Sequence, residues 1–135
     1  MIHPLIYDWN TLERPAPSGP RVMLDDETLR DGLQSPSVRC PDIDQKIRIL
    51  HLIDALGIDT ADIGLPGAGP HVVRDVERLA REIVDAKLTV AANCAARTVI
   101  GDLAPIADVS QRTGLKIEAC TFIGSSPIRQ YAEDW

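Results

Sequence analysis

The stretch DDETLRDGLQSP, residues 25–36, sets Asp25, Asp26, Glu27 and Asp31 beside Arg30 and Gln34, directly after the apolar run Val22-Met23-Leu24. Carboxylates and a guanidinium this close together are groups that bind ions and move protons. Comparable residues recur at regular intervals. A second apolar run ends in Asp62 and a Gly-Leu-Pro turn, a third in Asn93 and Arg97, a fourth in Ser125 and Ser126. In barrels and open α/β sheets the C-terminal ends of the strands form the functional face. Chemically loaded ends on successive strands therefore point to one site.

The elements that must carry these residues alternate. Residues 1–20, with Pro4, Pro15, Pro17 and Pro20, read as an irregular arm. Residues 21–25 then read as a short strand and 42–56 as an amphipathic helix. Ile43, Ile47, Leu50, Ile53 and Leu56 form one stripe of that helix. Asp42 with Gln45 has capping-box spacing, and Gly57 is a suitable stop. Strands are predicted over 60–65, 88–92 and 115–123. One helix starts at Pro70, and another runs from Thr98 or Asp102 to Gly114. Such alternation predicts βαβ units and a parallel sheet. The glycine-rich GLPGAGP lacks the Lys-Ser/Thr of a phosphate-binding loop.

Composition narrows the function classes. The chain has 135 residues, 44% hydrophobic, which suits one globular domain. A net charge of −6 argues against nucleic acid or an anionic membrane as the main partner. No apolar run approaches the roughly 20 residues of a membrane span, and the first residues lack the pattern of a signal peptide. Cys40, Cys94 and Cys120 fit neither a disulfide framework nor a zinc motif. They read as three reduced thiols of a cytoplasmic protein, two of them at strand ends.

Asp26-Glu27-Thr28-Leu29-Arg30-Asp31-Gly32-Leu33-Gln34 resembles the first-strand signature D-x-T-L-R-[DE]-G-x-Q of the metal-dependent acyl-CoA lyase and synthase superfamily. That superfamily includes 2-isopropylmalate, homocitrate and citramalate synthases and 3-hydroxy-3-methylglutaryl-CoA lyase, built on a pyruvate carboxyltransferase-like barrel. ADIGLP at 61–66 is similar to its second strand, I-E-x-G-F-P, and TFIGSSPIR at 121–129 to its fourth, F-I-A-T-S-P-I-H. The resemblance implies a (β/α)₈ TIM barrel. It implies chemistry that puts negative charge on an oxygen next to a breaking or forming carbon–carbon bond. A divalent cation (Mg, Mn or Zn) and an arginine would hold that charge. By this resemblance Asp31 binds the metal and Arg30 the oxyanion, while Gln34 and Asp62 orient Arg30. Asn93, Arg97, Ser125 and Ser126 are candidates for substrate contact. Asp25 and Glu27 are expected to point elsewhere or to cap backbone.

The resemblance covers residues 21–135 as the N-terminal half of the barrel, its first four βα units; a whole barrel takes about 250 residues. The superfamily's His-x-His metal pair sits on the seventh strand, whereas this chain carries His3, His51 and His71 and no such pair. The reading is a 2-isopropylmalate-synthase-like acyltransferase that condenses an acyl-CoA with an α-keto acid. Leu33 and Glu118 look more like the lyases, which leaves cleavage of a 3-hydroxy-3-methylglutaryl-CoA-like substrate open. A non-catalytic half-barrel needing a partner chain is the third reading. Alone, the chain is expected to be inactive, to hold metal weakly, and to form homo-oligomers or recruit a chain that completes the barrel.

Overall fold

The computed structural model describes residues 19–133, so most of the proposed arm lies outside the described residues. The element order is β1 (Asp25–Asp26), α1 (Ile43–Ala55), β2 (Thr60–Asp62), α2 (Pro70–Ala86), β3 (Ala91–Arg97), α3 (Ile100–Thr113), β4 (Ile117–Phe122) and α4 (Pro127–Glu133). The strands form one parallel sheet in the order β1-β2-β3-β4. Each consecutive pair is joined by a helical crossover, the connection a parallel pair needs.

Alternation along the strands divides the sheet into two unlike faces. Ala61, Ile63, Ala92, Cys94 and Ala96 point into the core with Leu50 and Ile53 of α1, Val76, Leu79 and Ile83 of α2, and Ile106 and Val109 of α3. The small side chains of β3 let the helices pack closely. On the opposite face stand Asp25, Thr60, Asp62, Asn93, Glu118 and Cys120, placed there by the strand register. No helix among the described residues covers that face. The inner wall is therefore polar rather than apolar, contrary to what an ordinary barrel interior leads one to expect.

The first helix follows its sequence signals. The Asp42 carboxylate accepts from Gln45 N at 2.8 Å, and the Gln45 side chain accepts from Asp42 N at 3.0 Å. Gly57 ends the helix at φ +74°. His51 lies on the surface of α1 and meets Glu82 of α2 at 2.9 Å. Lys46 bridges to Asp75 on the same pair of helices.

Two strands and a helix depart from expectation. Val22, Met23 and Leu24 are 79, 63 and 57% exposed, and β1 begins only at Asp25. This strand lies at the margin of the sheet with a neighbour on one side only, so apolarity alone does not bury it. The third strand runs over 91–97 instead of 88–92. Its alanines are poor strand formers by propensity, but pairing with β2 and β4 on both sides holds them extended. Cys94 and Cys120 consequently lie within strands, not at their ends. The third helix starts at Ile100 with Val99 as its N-cap, so neither Thr98 nor Asp102 opens it.

Candidate functional site

Asp26 builds the turn that presents Arg30. Its carboxylate accepts from Thr28 N at 2.9 Å and from Thr28 Oγ1 at 3.2 Å. The Glu27 carbonyl then closes the turn by accepting from Arg30 N and Gly32 N. Leu29 is buried in the core, 4% exposed, and anchors the segment from beneath. The Arg30 side chain is left over the polar face.

Three acids surround its guanidinium. Nε donates to Asp62 Oδ2 at 2.9 Å and Nη1 to Asp31 Oδ1 at 3.1 Å, while Nη2 donates to Glu27 Oε2. Asp62 is almost wholly buried, and its other oxygen accepts from Gly64 N at 3.0 Å. Burial pushes the Asp62 carboxyl above its ordinary pKa, against the opposing pull of Gly64 N–H and Arg30. Burial also raises Glu27; Arg30 opposes that rise, and the charges of Asp62, Asp25 and Asp31 add to it. Burial works against the Arg30 cation, but the bond to Asp62 and the surrounding acids outweigh it, so its pKa is raised. Arg30 is a fixed cation within a strongly acidic wall.

The wall continues across the sheet. Asn93 Nδ2 donates to Asp25 Oδ1 at 2.7 Å, and the Thr60 hydroxyl donates to the same oxygen. Asp62 and Asn93 are register partners on β2 and β3. Arg30, Asp62, Asn93 and Asp25 therefore share one rim. Burial raises the Cys120 thiol, and Glu118, Asp25, Asp62 and Glu27 push it further.

Other expected residues lie apart from this group. Gln34 is exposed in a short 3-10 turn; Arg30 bonds to Glu27 and not to Gln34. Arg97 ends β3 four residues beyond Asn93, about 13 Å along the strand at ~3.3 Å per residue. It faces a cleft of about 550 Å³ formed with Thr98, Val99, Phe122, Ile123, Gly124 and Arg129. Ser126 serves α4, its hydroxyl accepting from Arg129 N at 3.2 Å. Ser125 is exposed in the turn before it.

Glu27 and Asp25 correct the sequence reading, since each bonds to a side chain of the rim and neither caps backbone. Asp102 was missed as well. It is 4% exposed and accepts from Arg97 Nε, Nη2 and N at 2.8, 2.9 and 3.0 Å. Gly67 leaves room for it, because a Cβ there would stand 2.5 Å from the Asp102 carboxyl. The glycines of GLPGAG thus serve close packing and backbone turns. An acid placed five residues after a strand-end arginine, in the first turn of a helix, was the available signal.

Hydrogen bonding from Arg97 holds the Asp102 carboxyl below its ordinary pKa, despite burial. A carboxyl with a depressed folded pKa stabilises fully above its unfolded pKa, and that contribution fades as pH falls through the folded value. Asp102→Asn is expected to lose about 1–3 kcal/mol near neutrality. Its melting temperature should converge on that of wild type as pH falls through the depressed folded pKa of Asp102, where the wild-type carboxyl becomes as neutral as the amide. A pH-independent difference would rule out the ionised pair as its cause.

Residues 21–129 match the HMGL-like family. The chain belongs to it. Its parallel βα units are those of part of a (β/α)₈ barrel. Similar curated proteins are named as synthases. A 2-isopropylmalate synthase of Methylococcus capsulatus is 33% identical over 108 residues, 80% of this chain and 20% of its own. One of Nitrobacter hamburgensis is 34% identical over 108 residues, with the same shares of 80% and 20%. Homocitrate synthase AksA of Methanopyrus kandleri is 38% identical over 82 residues, 61% of this chain and 19% of its own. The chain spans about a fifth of the length of these curated relatives.

A divalent metal is expected in such enzymes, but the described residues do not by themselves make its site. Asp31 offers one carboxylate, 65% exposed and already bonded to Arg30. No group of three or more His, Cys, Asp or Glu that could hold a metal occurs among the described residues. No helix there is long and apolar enough to cross a membrane.

Proposed function

We propose that the chain supplies the oxyanion-binding wall of a 2-isopropylmalate-synthase-like acyltransferase, which joins an acyl-CoA to an α-keto acid. One observation carries the reading: Arg30 of the D-x-T-L-R-D-G-x-Q signature is pinned through Nε by buried Asp62, which aims its Nη groups over the polar rim. Condensation at a ketone carbonyl turns that oxygen into an alkoxide. A guanidinium held in place beforehand stabilises this charge without reorganising during the reaction. Asp62 does the holding, because a buried carboxylate bonded to both Gly64 N and Arg30 Nε has little freedom to turn. The synthase relatives favour condensation over cleavage.

The role of Arg30 is testable by binding. Pyruvate titrated against the protein should bind at least about tenfold more weakly to Arg30→Gln, the loss of one charge-assisted pair. Equal affinities would remove Arg30 from the site.

A further inference from the structure

Three of the five N–H donors of the Arg30 guanidinium are bonded to acids of the chain, one on each nitrogen. A ligand carboxylate binds a guanidinium through two parallel N–H groups, either across both Nη atoms or across Nε and one Nη. The second approach is closed, because Nε donates to buried Asp62. The first passes two acids, Asp31 on Nη1 and Glu27 on Nη2. A carboxylate that spans both Nη atoms competes with them there.

The two acids differ in reach. Asp31 has a short side chain next to Arg30 in sequence and is 65% exposed. Glu27 is longer, 46% exposed, and reaches Nη2 from three residues away. Its main chain is fixed independently of its carboxylate, because its carbonyl closes the turn at 3.2 Å from Arg30 N and 3.0 Å from Gly32 N. The side chain can therefore swing away while the turn and Arg30 stay in place. From this geometry we infer that Glu27 is a tethered stand-in for ligand: its carboxylate occupies the Nη2 position of Arg30 that the carboxylate of a 2-oxo acid takes, and it leaves when that ligand binds. The inference rests on Arg30 being the anion-binding group of the proposed function. It makes Glu27 a determinant of affinity and selectivity, because a ligand must outcompete a carboxylate already present at high local concentration.

The test compares pyruvate affinity by calorimetric or NMR titration in wild type, Glu27→Gln, Glu27→Ala, Glu118→Gln and Arg30→Gln, each checked for folding by circular dichroism. Glu27→Ala should bind pyruvate about three- to tenfold more tightly, the gain from removing an intramolecular competitor. Glu27→Gln should gain in the same direction, and it serves as a second variant should one of the pair fold poorly. Glu118→Gln removes a charge from the same face of the sheet without touching Arg30, and should change affinity less than about twofold. An unchanged or weaker affinity in the Glu27 variants overturns the inference. So does an equal gain in Glu118→Gln, which would reveal charge repulsion instead of occupancy. In both cases the Arg30 reading survives if Arg30→Gln binds more weakly than wild type. If neither wild type nor the Glu27 variants bind pyruvate, both readings fall.

Discussion

Arg30→Lys is expected to lower turnover by about 10²–10³-fold, the effect of losing one oxyanion donor. The measurement needs a catalytically competent frame. A chimera carrying residues 21–129 in place of the matching segment of the Methylococcus capsulatus 2-isopropylmalate synthase would provide it. Lysine keeps the charge but offers one compact ammonium where Arg30 offers a planar fork. That ammonium cannot bond to Asp62 at 2.9 Å and still reach over the rim as two Nη groups do. The loss should appear in both kcat and KM, because the same guanidinium binds the 2-oxo acid before reaction and its oxyanion during it. Turnover within about threefold of the parent chimera would take Arg30 out of the chemistry.

Gly64→Ala should produce the largest loss of stability. Gly64 sits at φ +150°, where an L side chain is strained, and its added Cβ would stand 2.6 Å from Val76 Cγ2. Val76 is wholly buried on α2 and cannot yield without disturbing the core. Strain and overpacking each cost roughly 1–3 kcal/mol. Their sum should lower the melting temperature by more than about 10 °C for a domain of this size. Gly64 N also donates to Asp62, so the same variant should loosen Arg30 and weaken pyruvate binding. A melting temperature within about 3 °C of wild type would show that the turn relaxes freely.

Patterns that depend on neighbouring residues were legible in the sequence. The capping box at Asp42 and Gln45, the stop at Gly57 and the start of α2 at Pro70 all stand where local chemistry put them. The Arg30 motif was legible because Arg30 and Asp31 are adjacent in sequence, and the distant Asp62 only through the resemblance. What else depends on pairing between distant segments was not. The alanine-rich β3 holds its shape through strands on both sides, and the exposure of Val22 through Leu24 follows from β1 being marginal in the sheet. The bond between Asp25 and Asn93 spans 68 residues and crosses an intervening strand. The role of Glu27 was misjudged by applying strand alternation where the chain had already turned.

The polar wall has a consequence for how the molecule meets its own copies in solution. Its broad surface carries Asp25, Glu27, Asp31, Asp62 and Glu118 against Arg30, so two such surfaces repel. Its margins differ: Val22, Met23 and Leu24 flank β1, and Phe122 and Ile123 end β4, all more than half exposed. The molecule is an amphiphile laid out sideways, charged across its breadth and greasy along its rims. Repulsion between the broad surfaces reaches about 30 Å at 0.01 M salt but only about 8 Å at 0.15 M. Contact between the greasy rims is insensitive to that screening. Added salt thus shifts the balance of colloidal forces from dispersal towards side-by-side association, with the charged breadth of each copy left facing water.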